Sequence, residues 1–296
     1  MRAEWNLLVA PHPLLKVTKP MSQPLSLMKR FYVDRYLHIR SFTLNFFVSA
    51  ALCVAAYSIH SHEFYQFHFA LWHLALVPLG IYLGGVSAVF IHNATHNSFS
   101  SPRLNEFCGQ LSGLHQLWGF MGWKLIHLLH HQYSDNLAMD PHAPGDRTFW
   151  QFARIMFLKS SAKVSERYRE HWGSDLRTKI LHKSVLVVFL GLVALNTLFW
   201  YLLLGPVGFL WFYIPSYIAN HLLFVDINYS AHPKDPESGE TKPANLDDTL
   251  YHKVANALWF GIYYHNNHHR KPLLFNPKYM PASQRDGDKD DLEIAA

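Results

Sequence analysis

Residues Phe69–His96 read FALWHLALVPLGIYLGGVSAVFIHNATH, an apolar stretch without Lys, Arg, Asp or Glu that ends in two histidines, His92 and His96. A helix of about 20 apolar residues crosses a hydrocarbon core about 30 Å thick. The stretch therefore predicts a membrane-spanning helix with imidazoles at its mouth. Three further charge-free runs obey the same rule: Phe42–His62, Ser184–Leu204 and Gly205–Val225. Burial inside a large soluble protein would explain one such run. Four predict an all-α integral membrane protein with four transmembrane helices in two hairpins, at about 42–62, 69–91, 184–204 and 207–225, and a cytoplasmic helical cap carrying the histidines.

Charge gives the orientation. All 26 Lys and Arg lie before residue 42, between 103 and 183, or after 233. The connections around Ser61–Phe67 and Gly205-Pro206 have none. By the positive-inside rule these two connections lie outside, and both termini and every basic segment lie in the cytoplasm, in a bacterial inner membrane or endoplasmic reticulum. The net charge of +5 then matches an anionic lipid surface and calls for no nucleic acid. With two cysteines, Cys53 and Cys108, neither a disulfide framework nor a thiolate metal site is available. The first apolar run begins too late and runs too long for a signal peptide. The organisation expected is a basic N-terminal segment (1–41), a membrane domain (42–272) and a disordered tail (273–296).

Two more histidine groups follow the first, His127-Leu128-Leu129-His130-His131 and His265-Asn266-Asn267-His268-His269. Residues i, i+3 and i+4 share a helix face, so each group aims its imidazoles together. Apolar positions from Leu104 to Met121 keep helical spacing and predict one interfacial helix. Phe149–Trp172 reads as an amphipathic helix against anionic lipid. If the fourth span continues, His221, Asn228 and His232 form one polar stripe. Leu250, Val254, Ala257, Leu258 and Gly261 form another, on which His265 falls.

The candidate metal ligands are thus His92, His96, His127, His130, His131, His232, His265, His268 and His269, with Asn228 on the face of His232. Nine imidazoles exceed what one ion can use, so two metals are implied. Iron suits them if the chemistry is that of dioxygen, because zinc has no redox couple. Asp135, Asp140, Asp226 and Asp248 are placed to hold imidazole N–H groups or to cap turns. His115, His142, His221 and His252 stay open as further neighbours of the site.

The three boxes, their order and the two apolar hairpins resemble the membrane-bound fatty acid desaturases, whose superfamily includes hydroxylases and other non-haem di-iron oxygenases. Asn228-x-x-x-His232, the third box, Asp140-Pro141-His142 and Phe149-Trp150 are similar to the acyl-CoA branch. Trp123, four residues before His127, matches a tryptophan that in that branch lies by the acyl head. The three residues between His92 and His96 are the spacing of acyl-lipid desaturases and several hydroxylases.

The resemblance implies a fatty acyl desaturase using two Fe2+ ions and dioxygen, with Asn228 as a tenth ligand and Trp123, Asp140 and Trp150 near the substrate. The substrate would be a long acyl chain carried as acyl-CoA, on acyl-carrier protein or in a membrane lipid. Two electrons would come from a separate ferredoxin-like or cytochrome-like donor. Rival outcomes on the same scaffold are hydroxylation, acetylenic bond formation and oxidative decarboxylation. A histidine-rich metal transporter would instead place its ligands near the bilayer midplane.

Overall fold

The computed structural model describes residues 27–234 and 241–281, so the expectations for residues 1–26 and 282–296 lie outside the described residues, while 273–281 of the expected tail are described and include a helical turn, Pro277–Tyr279, with Met280 buried. Within them regular structure is helical, with isolated bridges at Lys234–Thr241 and Asn245–Tyr264. The helices are α1 (Leu27–Val33), α2 (Leu37–Ser58), α3 (Leu76–Thr95), α4 (Pro102–His115), α5 (Phe120–Tyr133), α6 (Phe149–Trp172), α7 (Leu176–Gly208), α8 (Ile214–Ser230), α9 (Leu250–Leu258) and α10 (His265–Arg270).

Three helical stretches are long and apolar enough to cross a membrane: Leu37–Ser58, Leu71–Thr95 and Leu176–Ser230. The last, at 55 residues, is not one rod. Gly205 takes φ 65° and ψ 175°, a conformation open to glycine and poor for other residues. The chain folds back there, so that Trp200 stacks on Tyr213 with ring centroids 5.2 Å apart and Tyr201 meets Phe209 at 5.8 Å. In a straight helix the first pair would be about 20 Å apart. A five-residue π-helical segment, Phe209–Tyr213, leads from the fold-back into α8.

The long helices pair in parallel. Along α2 and α7, Phe42 meets Phe189, Ser49 Oγ donates to Asn196 Oδ1 at 2.6 Å, and His60 Nε2 lies 3.1 Å from the Leu203 carbonyl, so both chains rise together. Along α3 and α8 the contact is tighter. A Cβ on Gly80 would lie 2.4 Å from the Phe212 carbonyl oxygen, and one on Gly84 2.1 Å from that of Ser216. Asn220 Nδ2 donates to the Gly84 carbonyl at 3.1 Å. Glycine at these positions lets two backbones touch, as small residues do in helix pairs within lipid.

Helices begin ahead of the hydropathy limits, with a side-chain cap at the start of α7 and none at that of α2. α2 starts at Leu37, ahead of the apolar run at Phe42. α7 starts at Leu176, where Asp175 Oδ1 accepts from the Thr178 amide at 2.7 Å. α6 spans Phe149–Trp172, the predicted limits, closed in front by a Thr148–Gln151 capping box.

Two expected elements are divided. The single helix expected from Leu104 is α4 and α5, broken where Leu117 and Gly119 take φ of 71° and 78°. The glycines in this stretch are contact points: a Cβ on Gly113 would lie 2.4 Å from the Phe120 amide nitrogen. His265 does not continue the Leu250 stripe. α9 stops at Leu258, the chain turns through Phe260 (φ 53°) and Gly261 (φ 72°), and α10 begins anew.

Gly84→Val must push α3 away from α8, and overpacking of this kind costs about 1–3 kcal/mol. Gly122→Ala meets only ordinary contacts, the nearest being the Phe42 ring at 3.5 Å. Thermal unfolding of detergent-solubilised protein is expected to show a clearly lowered midpoint for Gly84→Val and a near-unchanged one for Gly122→Ala.

Candidate metal centre

The end of α3 brings His92 and His96, α5 brings His127, His130 and His131, the residues just after α8 bring His232, and α10 brings His265, His268 and His269. All nine converge, in two groups. His92, His96, His127, His131 and His268 form one; His130, His232, His265 and His269 form the other, with the ligand atoms of each group within 4.8 Å of one another. Adjacent members of α5 and α10 go to opposite groups, His130 against His131 and His268 against His269. The i, i+3, i+4 pattern thus serves two points at once.

In the first group the Nε2 atoms of His96 and His127 are 2.9 Å apart, those of His127 and His131 3.1 Å, and those of His131 and His268 2.9 Å. In the second, His265 Nε2 lies 3.0 Å from His232 Nε2 and 3.1 Å from His269 Nε2. A hydrogen bond cannot account for each of these. An imidazole nitrogen offers one in-plane proton or one lone pair, yet His127, His131 and His265 each have two such neighbours. A cation accounts for them: two nitrogens at right angles on a metal bonded at about 2.1 Å sit about 3.0 Å apart.

The far ring nitrogens fix the tautomer. His130 Nδ1 donates to Asp140 at 2.9 and 3.0 Å, and His232 Nδ1 donates to Asp135 at 2.9 and 3.1 Å. With the proton held on Nδ1, Nε2 presents its lone pair inward. His130 Nε2 and His92 Nε2 are buried without a hydrogen-bond partner. The donor set therefore suits two cations.

Burial, and then the charge a protonated neighbour would carry, holds His127, His131, His265, His268 and His269 well below the ordinary imidazole range. They are neutral and ready to ligate at pH 7. Burial would raise the Asp140 carboxyl, but the adjacent His130 and His142 together hold it below the ordinary carboxylate range.

Of the remaining predicted residues, Asn228 is buried and donates from Nδ2 to the Phe224 carbonyl at 2.8 Å, which leaves its oxygen as an acceptor. Trp123, 1% exposed, stacks on His127 at 5.7 Å and packs on Phe224 at 4.1 Å. Asp140 uses its oxygens on His130 and on the amides of Asp135 and His142. Trp150 is 63% exposed on α6, and its ring meets Phe149. Asp248 holds His252, not a box histidine, and Asp226 takes the hydroxyls of Tyr251 and Tyr263. His142 lies against His130 and Trp123, whereas His115 pairs with Ser216 and His221 with the Ala153 carbonyl.

Sequence reasoning missed Asn93. Its Oδ1 sits 3.3 Å from His92 Nδ1 while its Nδ2 donates to the Phe275 carbonyl at 2.8 Å, tying the first box to the segment after the third. In the sequence it reads only as part of an Asn-Ala-Thr glycosylation pattern.

His268→Ala is expected to lower metal content at the five-histidine point and His269→Ala at the four-histidine point, each by up to one ion per chain, with elemental analysis as the readout. Asp135→Asn and Asp140→Asn are expected to weaken metal retention about 10- to 100-fold. Acid should release the metal. Below about pH 6.5 the unfolded chain binds protons that these buried imidazoles refuse, so stability falls as pH falls, and a metal-release titration monitored with the melting midpoint checks the sign.

A family model described as "Fatty acid desaturase" matches residues 67–286. An acyl-CoA C20 Delta5-desaturase of Anemone leveillei is 29% identical over 227 residues, which cover 74% of this chain and 66% of that protein. A chloroplastic palmitoyl-monogalactosyldiacylglycerol delta-7 desaturase of Arabidopsis thaliana is 28% identical over 215 residues, 67% of this chain and 53% of that protein. An sn-1 oleoyl-lipid 12-desaturase of Picosynechococcus sp. is 24% identical over 229 residues, 68% of this chain and 65% of that protein. The chain thus spans between about half and two thirds of the length of these relatives. With the family match lying over α3 to α10 and all three histidine boxes, the chain belongs to the fatty acid desaturase family.

Proposed function

We propose that the chain is an integral membrane acyl desaturase that introduces a double bond into a long acyl chain. It uses two iron ions, dioxygen and two electrons from a separate ferredoxin-like or cytochrome-like donor. The observation that carries this reading is the convergence of nine imidazoles on two neighbouring points, with no carboxylate in either group among the described residues. When bound there, iron supplies the activation of dioxygen and the removal of hydrogens from unactivated methylenes, chemistry that zinc lacks for want of a redox couple.

In this reading His92, His96, His127, His131 and His268 hold one ion, and His130, His232, His265 and His269, with Asn228, hold the other. Asp140 and Asp135 keep His130 and His232 in the ligating tautomer. Trp123 and Phe224 form an apolar wall beside His127 that seats the acyl chain and keeps water from it. The three long apolar stretches, the third folded at Gly205, cross the bilayer as four legs, with the basic segments, the histidines and both termini on the cytoplasmic face. The relatives act, by their names, on acyl-CoA and on acyl groups in glycerolipids, and either carrier would place the acyl chain at this wall.

Expression with a donor system, followed by mass spectrometry of total acyl groups, is expected to give products two hydrogens lighter than their precursors. A His268→Ala/His269→Ala double variant should give none. Products gaining one oxygen would move the reading to hydroxylation, and unchanged profiles for both proteins together with iron-free purified protein would sink it.

A further inference from the structure

α4 and α9 are built inside out. α4 buries Asn105, Ser112 and His115 and turns Leu104, Phe107 and Leu111 outward, the last two 64% and 50% exposed. α9 buries Ala255 and Asn256 and turns Leu250, Val254 and Leu258 outward, at 78%, 48% and 43%. In water such helices would be turned the other way round, polar face out. Their charged side chains, Arg103, Glu106 and Lys253, fall in the first two turns of each helix.

Both helices descend along the α3/α8 pair away from the histidines. At the end of α4, His115 Nε2 is 2.8 Å from Ser216 Oγ, and Ser216 abuts Gly84. Gly84 precedes His92 by eight residues on α3, about 12 Å along the axis. α9 starts beside Asp226, to which the Tyr251 hydroxyl donates at 3.1 Å, and ends with Trp259 over Gly85, its Nε1 donating to the Tyr82 carbonyl at 3.2 Å. Each helix thus reaches from the histidine level to the lipid-compatible part of α3, beside its outward-facing Leu79, Ile81 and Leu83.

The carbonyls freed at the lower end of α4 point to the same medium. Trp200 Nε1 donates to the Leu114 carbonyl at 3.2 Å, the Tyr213 hydroxyl to that of His115 at 2.9 Å, and Asn196 Nδ2 to that of Leu117 at 3.1 Å. A helix end in water leaves these groups to solvent, whereas one in hydrocarbon must have them met by protein.

We propose that α4 and α9 are re-entrant helices sunk into the cytoplasmic leaflet, with the acyl chains of that leaflet covering the Leu104/Phe107/Leu111 and Leu250/Val254/Leu258 faces. The inference rests on the membrane reading of α3 given above. It deepens that reading: the second and third histidine boxes come to the metal centre from below, each after a dip into the leaflet. A lipid-borne acyl chain then meets apolar surface up to the level of the histidines.

Single cysteines at Phe107→Cys, Val254→Cys, Leu79→Cys and Ser174→Cys, in a Cys53→Ala/Cys108→Ala background, test it in phosphatidylcholine/phosphatidylglycerol nanodiscs holding one chain each and no added donor. The probe is a charged, membrane-impermeant methanethiosulfonate. Ser174→Cys should label fast, the other three at least tenfold more slowly, and all four should label in denaturant. Labelling of Phe107→Cys and Val254→Cys at the Ser174→Cys rate while Leu79→Cys stays protected overturns the re-entrant assignment alone. Fast labelling of Leu79→Cys as well overturns the membrane reading beneath it, and protection that appears only in discs with several copies assigns the faces to a second chain and overturns the proposal.

Discussion

Lone pairs repel, and this chain forces nine of them toward two points. His127, His131 and His265 each have two other imidazole nitrogens within 3.1 Å, at ring positions that can make one bond apiece. Such an arrangement stands without strain only around cations or under a rigid frame, and the frame is visible. Gly80 and Gly84 lock α3 onto α8, Asp135 and Asp140 pin the rings of His232 and His130, and Asn93 ties the first box to Phe275. The metal centre and the helix pair beneath it are one structure.

The same economy appears in the way the boxes are split. Consecutive histidines on one helical turn diverge by about 100°. His130 and His131, and His268 and His269, use that angle to serve separate points from α5 and α10. Two short helices therefore supply side chains to both groups, and the groups are neighbours, with the His130 and His131 ring centroids 5.7 Å apart.

Much of this was legible in the sequence, for physical reasons. Apolar length located the long helices, the amphipathic pattern over Phe149–Trp172 gave α6, and side-chain spacing named all nine histidines. What stayed hidden is set by contacts distant in sequence. The break at Leu117–Gly119 exists because α5 must cross α4 at Gly109 and Gly113, and α9 parts from α10 because Gly261 packs against Asn276. Apolar periodicity marked the Leu104 stretch as an interfacial helix, but could not tell that the polar side of α4, with Asn105, Ser112 and His115, is the one packed inward. Asp226 and Asp248 resembled Asp135 and Asp140 in sequence, yet only the latter two reach box histidines.

The central claim is a pair of unlike, nitrogen-rich iron sites, and Mössbauer spectroscopy of protein loaded with iron-57 tests it most directly. Five imidazoles at one point, against four with Asn228 at the other, predict two ferrous doublets of equal area and different quadrupole splitting, with two irons per chain. A single doublet at one iron per chain, or protein that takes up zinc and leaves iron in solution, would contradict the account.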